Sequence, residues 1–215
     1  MGGGGSLFKP LCATKPVYAV RKQRIYLEII PLKYTVNIGN EVVRESDCSY
    51  SISQIYEMID AALPKISGGG AQINYNVWHK FELLISAIEF SRGVISILHN
   101  LHTSDTRTLY AYLTDSIGLP NTFGIARLSG NVSLTGIDDE GRQRTTDEVS
   151  YTFAHEIGHN FGLKHNTSID PNQPRHLIGR RNNLMFPTRV RGRFGETALY
   201  QWENMNAEIK DKLES

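Results

Sequence analysis

The sequence predicts an α/β (α+β) fold, with strands and helices alternating over a mixed sheet. Three observations carry this reading. Segments of strand period alternate with segments of helical spacing from residue 24 to residue 137. The first of them run strand, helix, strand, a right-handed crossover that implies parallel pairing. A further helix, opened by a capping pattern at Thr145, follows the strands and carries two histidines four residues apart.

Each element has its own justification. Residues 1–6, Met1-Gly2-Gly3-Gly4-Gly5-Ser6, read as an engineered linker and are left out of the fold; no signal peptide is expected in the chain. Residues 7–23 show no clear period and read as an extended lead-in. Arg24 to Tyr34 is rich in β-branched and aromatic residues and predicts a strand, with a bulge or break near Pro31. Gly39 to Asp47 is polar and reads as a loop. Ile52, Ile55, Ile59, Ala62 and Leu63 recur at helical spacing behind Ser51 as cap, and Pro64 with Gly68-Gly69-Gly70 ends that helix. Ala71 to His79 alternates Ile73, Tyr75 and Val77 with Gln72, Asn74 and Asn76, which is strand period.

Residues 81–102 are ambiguous: Phe81 to Ile85 suits a strand, and Val94, Ile95, Leu98 and Leu101 suit a helix ending near His102. Thr108 to Thr114 is a strand, and Gly118 to Asn121 a turn. Thr122–Leu128 and Asn131–Ile137 are two short strands on either side of Ser129-Gly130, and Asp138 to Thr146 is a charged loop. Pro171, Pro174 and Pro187 exclude long helices across 166–195, and helical spacing returns over Ala198 to Leu213 as a C-terminal helix.

The totals bound what such a chain does. At 215 residues it makes one large domain or two small ones, long enough to bury a real core. Its 40% hydrophobic and 21% charged residues are ordinary for a soluble globular protein. A net charge of +1 gives no global pull toward nucleic acid or membrane. No apolar run approaches a membrane span, and the one basic stretch has no aromatic platform for nucleic acid. A monomer is expected.

The chemistry concentrates in one stretch, His155-Glu156-Ile157-Gly158-His159-Asn160-Phe161-Gly162-Leu163-Lys164-His165. Thr145 and Glu148 form a capping box at the start of its helix. Val149, Phe153, Ile157 and Phe161 make an apolar strip for the sheet, and His155 and His159 lie on a different strip. Two imidazoles at i and i+4 grip one divalent ion, and Glu156 can reach a water on that ion as general base. Gly162 tolerates the left-handed turn that ends a helix, so His165 returns as a third ligand. Three protein ligands keep a coordination position open. The other histidines, His79, His99, His102 and His176, have no ligand spacing and read as surface or satisfied core.

This H-E-x-x-H-x-x-G-x-x-H pattern resembles that of the metzincin zinc metalloproteases. Met185 in Asn183-Leu184-Met185-Phe186-Pro187 stands where their Met-turn methionine would lie, as a polarizable floor beneath the ligands. Tyr112-Leu113-Thr114-Asp115, Thr122-Phe123-Gly124-Ile125-Ala126 and His159-Asn160 resemble the reprolysin or adamalysin branch. The resemblance implies a five-stranded twisted sheet with two helices in an upper subdomain of about 24–162. A small irregular lower subdomain of about 163–215 follows, and the two form a single catalytic domain over 24–215. It implies one catalytic Zn²⁺ and a zinc-dependent endopeptidase with Glu156 as general base and acid. A protein or peptide substrate would lie extended along an edge strand within 122–130, at Gly124 and Ile125. It also implies a secreted or extracytoplasmic setting.

Departures from that branch are specific. Asn166 stands where adamalysins have aspartate, no cysteine follows Cys48, and Pro187 stands where astacins and serralysins place a zinc-reaching tyrosine. Several readings stay open. Cys12 and Cys48 form a disulfide or stay two thiols, or Cys12 is a latency thiol on the zinc. Arg189, Arg191 and Arg193 are a solvated basic loop, or a pocket preferring acidic or polar substrate residues. Asp138-Asp139-Glu140 is a solvated loop or a calcium site. Two rivals stand beside the peptidase: a catalytically silent binding module of the same fold, and a latent or highly selective toxin-like protease.

Overall fold

One long strand organises the sheet. The computed structural model of the chain describes residues 24–66, 72–105, 107–139, 141–165 and 184–185. Strand β1 (Arg24–Ile38) pairs through its first half with two parallel neighbours, β3 (Gln72–Val77) and β5 (Thr108–Thr114). Beyond β5 lie β7 (Val132–Gly136), parallel, and then β6 (Gly124–Ala126), antiparallel and outermost. The order β3-β1-β5-β7-β6 is the expected five-stranded sheet. The parallel pairing of β1 and β3 is the predicted crossover, and β5 has the predicted bounds.

The second half of β1 adds what the sequence did not announce. It pairs with β4 (Phe81–Ser86) in parallel and with β2 (Glu41–Asp47) antiparallel, which brings the sheet to seven strands. Residues 41–47 are therefore a strand, not a loop. Gly39, at φ 60°, and Asn40 join β1 to β2 in a two-residue hairpin. The polarity of this stretch reflects a hairpin whose outer residues are mostly exposed. Nor does β1 break at Pro31. Pro31 stays in register with Leu113 of β5; on the other edge Ile29 is the last residue paired to β3 and Leu32 the first paired to β4, so the proline falls at a change of neighbours there. The register shift lies instead between Val36 and Asn37.

Helices cover both faces. Helix α1 (Ile52–Ile66) starts at Ser51, whose Oγ accepts from the Gln54 amide at 3.3 Å. It continues through Pro64 to Ile66, because a proline in the last turn disturbs few intrahelical bonds. The ambiguous stretch resolves into strand β4, a short helix α2 (Ala87–Ser91) and helix α3 (Val94–Leu101). Strand β6 is shorter than its predicted range, and the charged loop contains a small hairpin of β8 (Asp138–Asp139) and β9 (Arg142–Gln143).

Helix α4 (Thr146–Asn160) packs with α1 on one face, over Leu27, Ile29, Leu109, Ala111 and Leu113. Val149, Phe153, Ile157 and Phe161, the predicted strip, are all buried in that core. On the opposite face Val94 and Leu98 of α3 pack with Tyr112, Val132 and Leu134. Period-two alternation along β5 feeds both cores from one strand. No helix among the described residues is long and apolar enough to cross a membrane.

Candidate active site

Both ends of α4 are built by recognisable local chemistry. At the start, Thr145 Oγ1 accepts from the Glu148 amide at 3.2 Å, and the Glu148 carboxylate accepts from the Thr145 amide at 2.9 Å. Arg142 donates to both oxygens of Glu148, which holds that carboxyl down at about 2. At the end, Gly162 adopts φ 76°. Its N–H bonds to His159 O at 2.9 Å, and Leu163 N–H reaches Gly158 O at 3.0 Å. This is a Schellman closure, with glycine where a left-handed residue is required. The chain then folds back, as the glycine predicted, and His165 meets the helix.

Three imidazoles converge as a result. His165 Nε2 lies 3.2 Å from His155 Nε2 and 3.1 Å from His159 Nε2. The other ring nitrogens are fixed by carbonyls: His155 Nδ1 donates to Leu184 O at 2.7 Å, and His159 Nδ1 to Leu163 O at 2.7 Å. A carbonyl only accepts, so each Nδ1 carries the proton and each Nε2 presents a bare lone pair. One proton on His165 can satisfy only one of these two lone pairs. The donor set therefore fits a divalent cation, and carbonyl-oriented imidazoles are the usual support of such ligands. Burial, then the neighbouring His159, pushes His155 down to about 3. Burial also lowers His159 and His165, which keeps all three rings neutral and able to ligate at neutral pH.

Two close contacts place the groups around the trio. Met185 is fully buried beneath the helix; a Cβ on Gly158 would stand 2.7 Å from its Sδ. Tyr151 Oη donates to Leu184 O at 3.1 Å, so the residue before Met185 is gripped by Tyr151 and His155 together. On the other side Glu156 lies against the edge strand. A Cβ on Gly124 would stand 2.5 Å from Glu156 Oε1. Glu156 is buried, and that burial pushes its carboxyl up to about 8. A cation beside it reverses that balance and favours the carboxylate.

The edge strand is itself anchored. Asn160, fully buried, donates to Arg127 O at 3.3 Å and Val132 O at 3.1 Å, and Ser129 N–H bonds His159 O at 2.9 Å. At the other end Arg144 donates to Gly136 O, Glu148 O and Thr152 Oγ1 at 2.7–2.8 Å and lies 4.7 Å over the Phe123 ring. Arg144 and the carbonyls of Leu163 and Leu184 were not singled out from the sequence. An isolated arginine carries no pattern, and a main-chain carbonyl has no residue identity to read.

The remaining candidates are dispersed. Ile125 packs with the core around Leu134, and period-two alternation turns it from the face where Gly124 meets Glu156. His102 bonds the Tyr112 hydroxyl at 2.6 Å, His79 is exposed, and neither they nor His99 join the trio. Asp138 accepts from Gly141 N–H at 2.7 Å and Asp139 pairs with Arg142 at 3.2 Å. Cys48 is a buried thiol pushed up to about 11 by that burial. Cys12, Glu140, Asn166, His176, Arg189, Arg191, Arg193 and the predicted C-terminal helix lie outside the described residues.

Residues 32–166 match the metallo-peptidase family M12B, reprolysin-like. The chain belongs to this family. The matched region runs from mid-β1 through the third histidine, so it includes the whole trio. Among solved structures, this reprolysin-like chain is similar to metalloproteinase-II from Bacteroides fragilis, with a TM-score of 0.51 and 16% identity. The likeness covers 91% of this chain and 55% of that one, and at this identity it speaks for the fold. The chain thus spans just over half the length of that neighbour. No curated protein matches the sequence.

Proposed function

We propose that this reprolysin-like chain is a zinc-dependent endopeptidase. The observation that carries the reading is the convergence of three Nε2 atoms, two with lone pairs exposed by carbonyl-bound Nδ1 groups, at the end of a helix whose Glu156 carboxyl is buried against the edge strand. His155, His159 and His165 would hold the ion. A zinc ion held this way supplies Lewis acidity and an acidified water. Glu156 takes a proton from the attacking water and delivers it to the leaving amine. Met185 packs beneath the ligands as a soft, fitted floor.

The substrate is a protein or peptide in extended form. Strand β6 ends the sheet, so its outer edge has no strand partner among the described residues and offers main-chain groups for one more strand. The catalytic unit starts at residue 24 and divides near Gly162, with the three ligands at that division. Membership of the reprolysin-like family supports work outside the cytoplasm. Arg189, Arg191 and Arg193 would favour acidic or polar residues after the cut, and alanine at each should flatten such a preference in a cleavage-site profile.

The deciding experiment is digestion of a mixed peptide library by the zinc-loaded chain, the chelated chain and Glu156→Ala. Cleavage should be present in the first and lost in the other two, by about 10²–10⁴-fold for the variant. Cleavage that survives chelation, or persists in Glu156→Ala, would refute the assignment.

A further inference from the structure

The contact between Gly124 and Glu156 joins two elements more closely than any side chain at 124 allows. A Cβ there would lie 2.5 Å from Oε1, 2.6 Å from Cγ and 2.8 Å from Cδ of Glu156. Comfortable carbon contacts lie near 3.5–4.0 Å, so the clash is with most of the side chain and not its tip alone. Backbone conformation is no reason for glycine here, because Gly124 is not among the positive-φ residues. Only the space forbids a side chain.

Neither element can give way as a body. Gly124 is held in register opposite Thr135, and the carbonyl of Phe123 accepts from Gly136 N–H at 2.7 Å. Asn160, through Arg127 O, and Ser129, through His159 O, tie the chain just past the far end of the strand to α4. Helix α4 in turn is backed by α1 and by Met185 under Gly158. A methyl group at 124 would therefore be accommodated by the Glu156 side chain leaving its place.

We propose that Gly124 is a positioning residue: its bare backbone admits the Glu156 carboxyl to its place against the edge strand. Substrate and proton acceptor then share one strand, since the main chain that would pair with the peptide also sets Glu156. The kinetic consequence rests on the peptidase reading; the contact does not.

The test is Gly124→Ala in the full chain, with a double-mutant cycle against Glu156→Ala. Zinc-loaded Gly124→Ala should lose kcat by about tenfold or more, with KM and zinc affinity within about twofold of wild type. The substitution should lower the melting temperature of the wild type, but not that of Glu156→Ala, where the obstructing side chain is gone. A kcat within about twofold of wild type, or an equal loss of melting temperature in both backgrounds, would overturn the proposal. If the wild type cuts no peptide, the peptidase reading falls, and the melting cycle alone still decides the contact.

Discussion

Glu156 shows how one residue's setting fixes both chemistry and stability. Its carboxyl is buried and sits at about 8, above the ordinary 4.5. In the metal-free chain the folded state therefore holds a proton that the unfolded state has released, and stability falls as pH rises from about 4.5 through about 8. Glu156→Gln keeps the shape and removes the charge. Chelated Glu156→Gln should match wild type in urea denaturation near pH 4.5 and exceed it near pH 9. Equal midpoints at both pH values would show that burial does not govern this group. Gly158 gives a second test, in which two effects oppose. Alanine in a helix interior usually gains about 0.5–1 kcal/mol over glycine, whereas forcing a methyl into packed surroundings costs about 1–3 kcal/mol. With Met185 Sδ only 2.7 Å from that methyl and Leu163 Cδ1 at 3.5 Å, crowding wins. Gly158→Ala should lower the melting temperature; a rise would mean that Met185 yields freely.

Helix α4 was legible because its determinants are local. A capping box needs Thr145 and Glu148 alone, the apolar strip needs four residues, and Gly162 closes the helix by its own conformation. Thr145→Ala should therefore cost about 1 kcal/mol and lower the melting temperature by about 2–4 °C, without changing zinc stoichiometry. Loss of zinc binding in that variant would show that the cap acts well beyond the first turn. Strand β2 was illegible for the opposite reason. Its residues are polar because most are exposed, and what makes them a strand is the facing half of β1. The same holds for the supports of the site. His155, His159 and His165 announce themselves by spacing, but the Leu184 and Leu163 carbonyls that set the tautomers of His155 and His159 are placed by a segment 29 residues beyond His155 and by a turn. Gly124 stood in the sequence as a substrate contact. Its role against Glu156 appears only once β6 lies beside α4.

At the scale of the molecule, metal binding and one side of the fold are a single problem. The three candidate ligands end α4 and begin the chain beyond it, and His155 reaches Leu184. An ion held by them would close the α4 end, its turn and residues 184–185 into one unit. The core around Tyr112 and Leu134, on the other face of the sheet, takes no part. Zinc that binds only the folded chain stabilises it by about 2.7 kcal/mol at a hundredfold excess over Kd, which for a chain of this size is roughly 5–10 °C in melting temperature. Chelation should remove that increment from wild type and remove much less from His165→Ala, which lacks one ligand. Hydrogen exchange should localise the change. The amides of Gly162 and Leu163 should exchange faster after chelation, while those of β5 keep their protection, because β5 pairs within the sheet with β1 and β7 and not with the turn after α4. Uniform loss of protection across the sheet would mean that the ion holds the entire fold and that the two faces are not separable units.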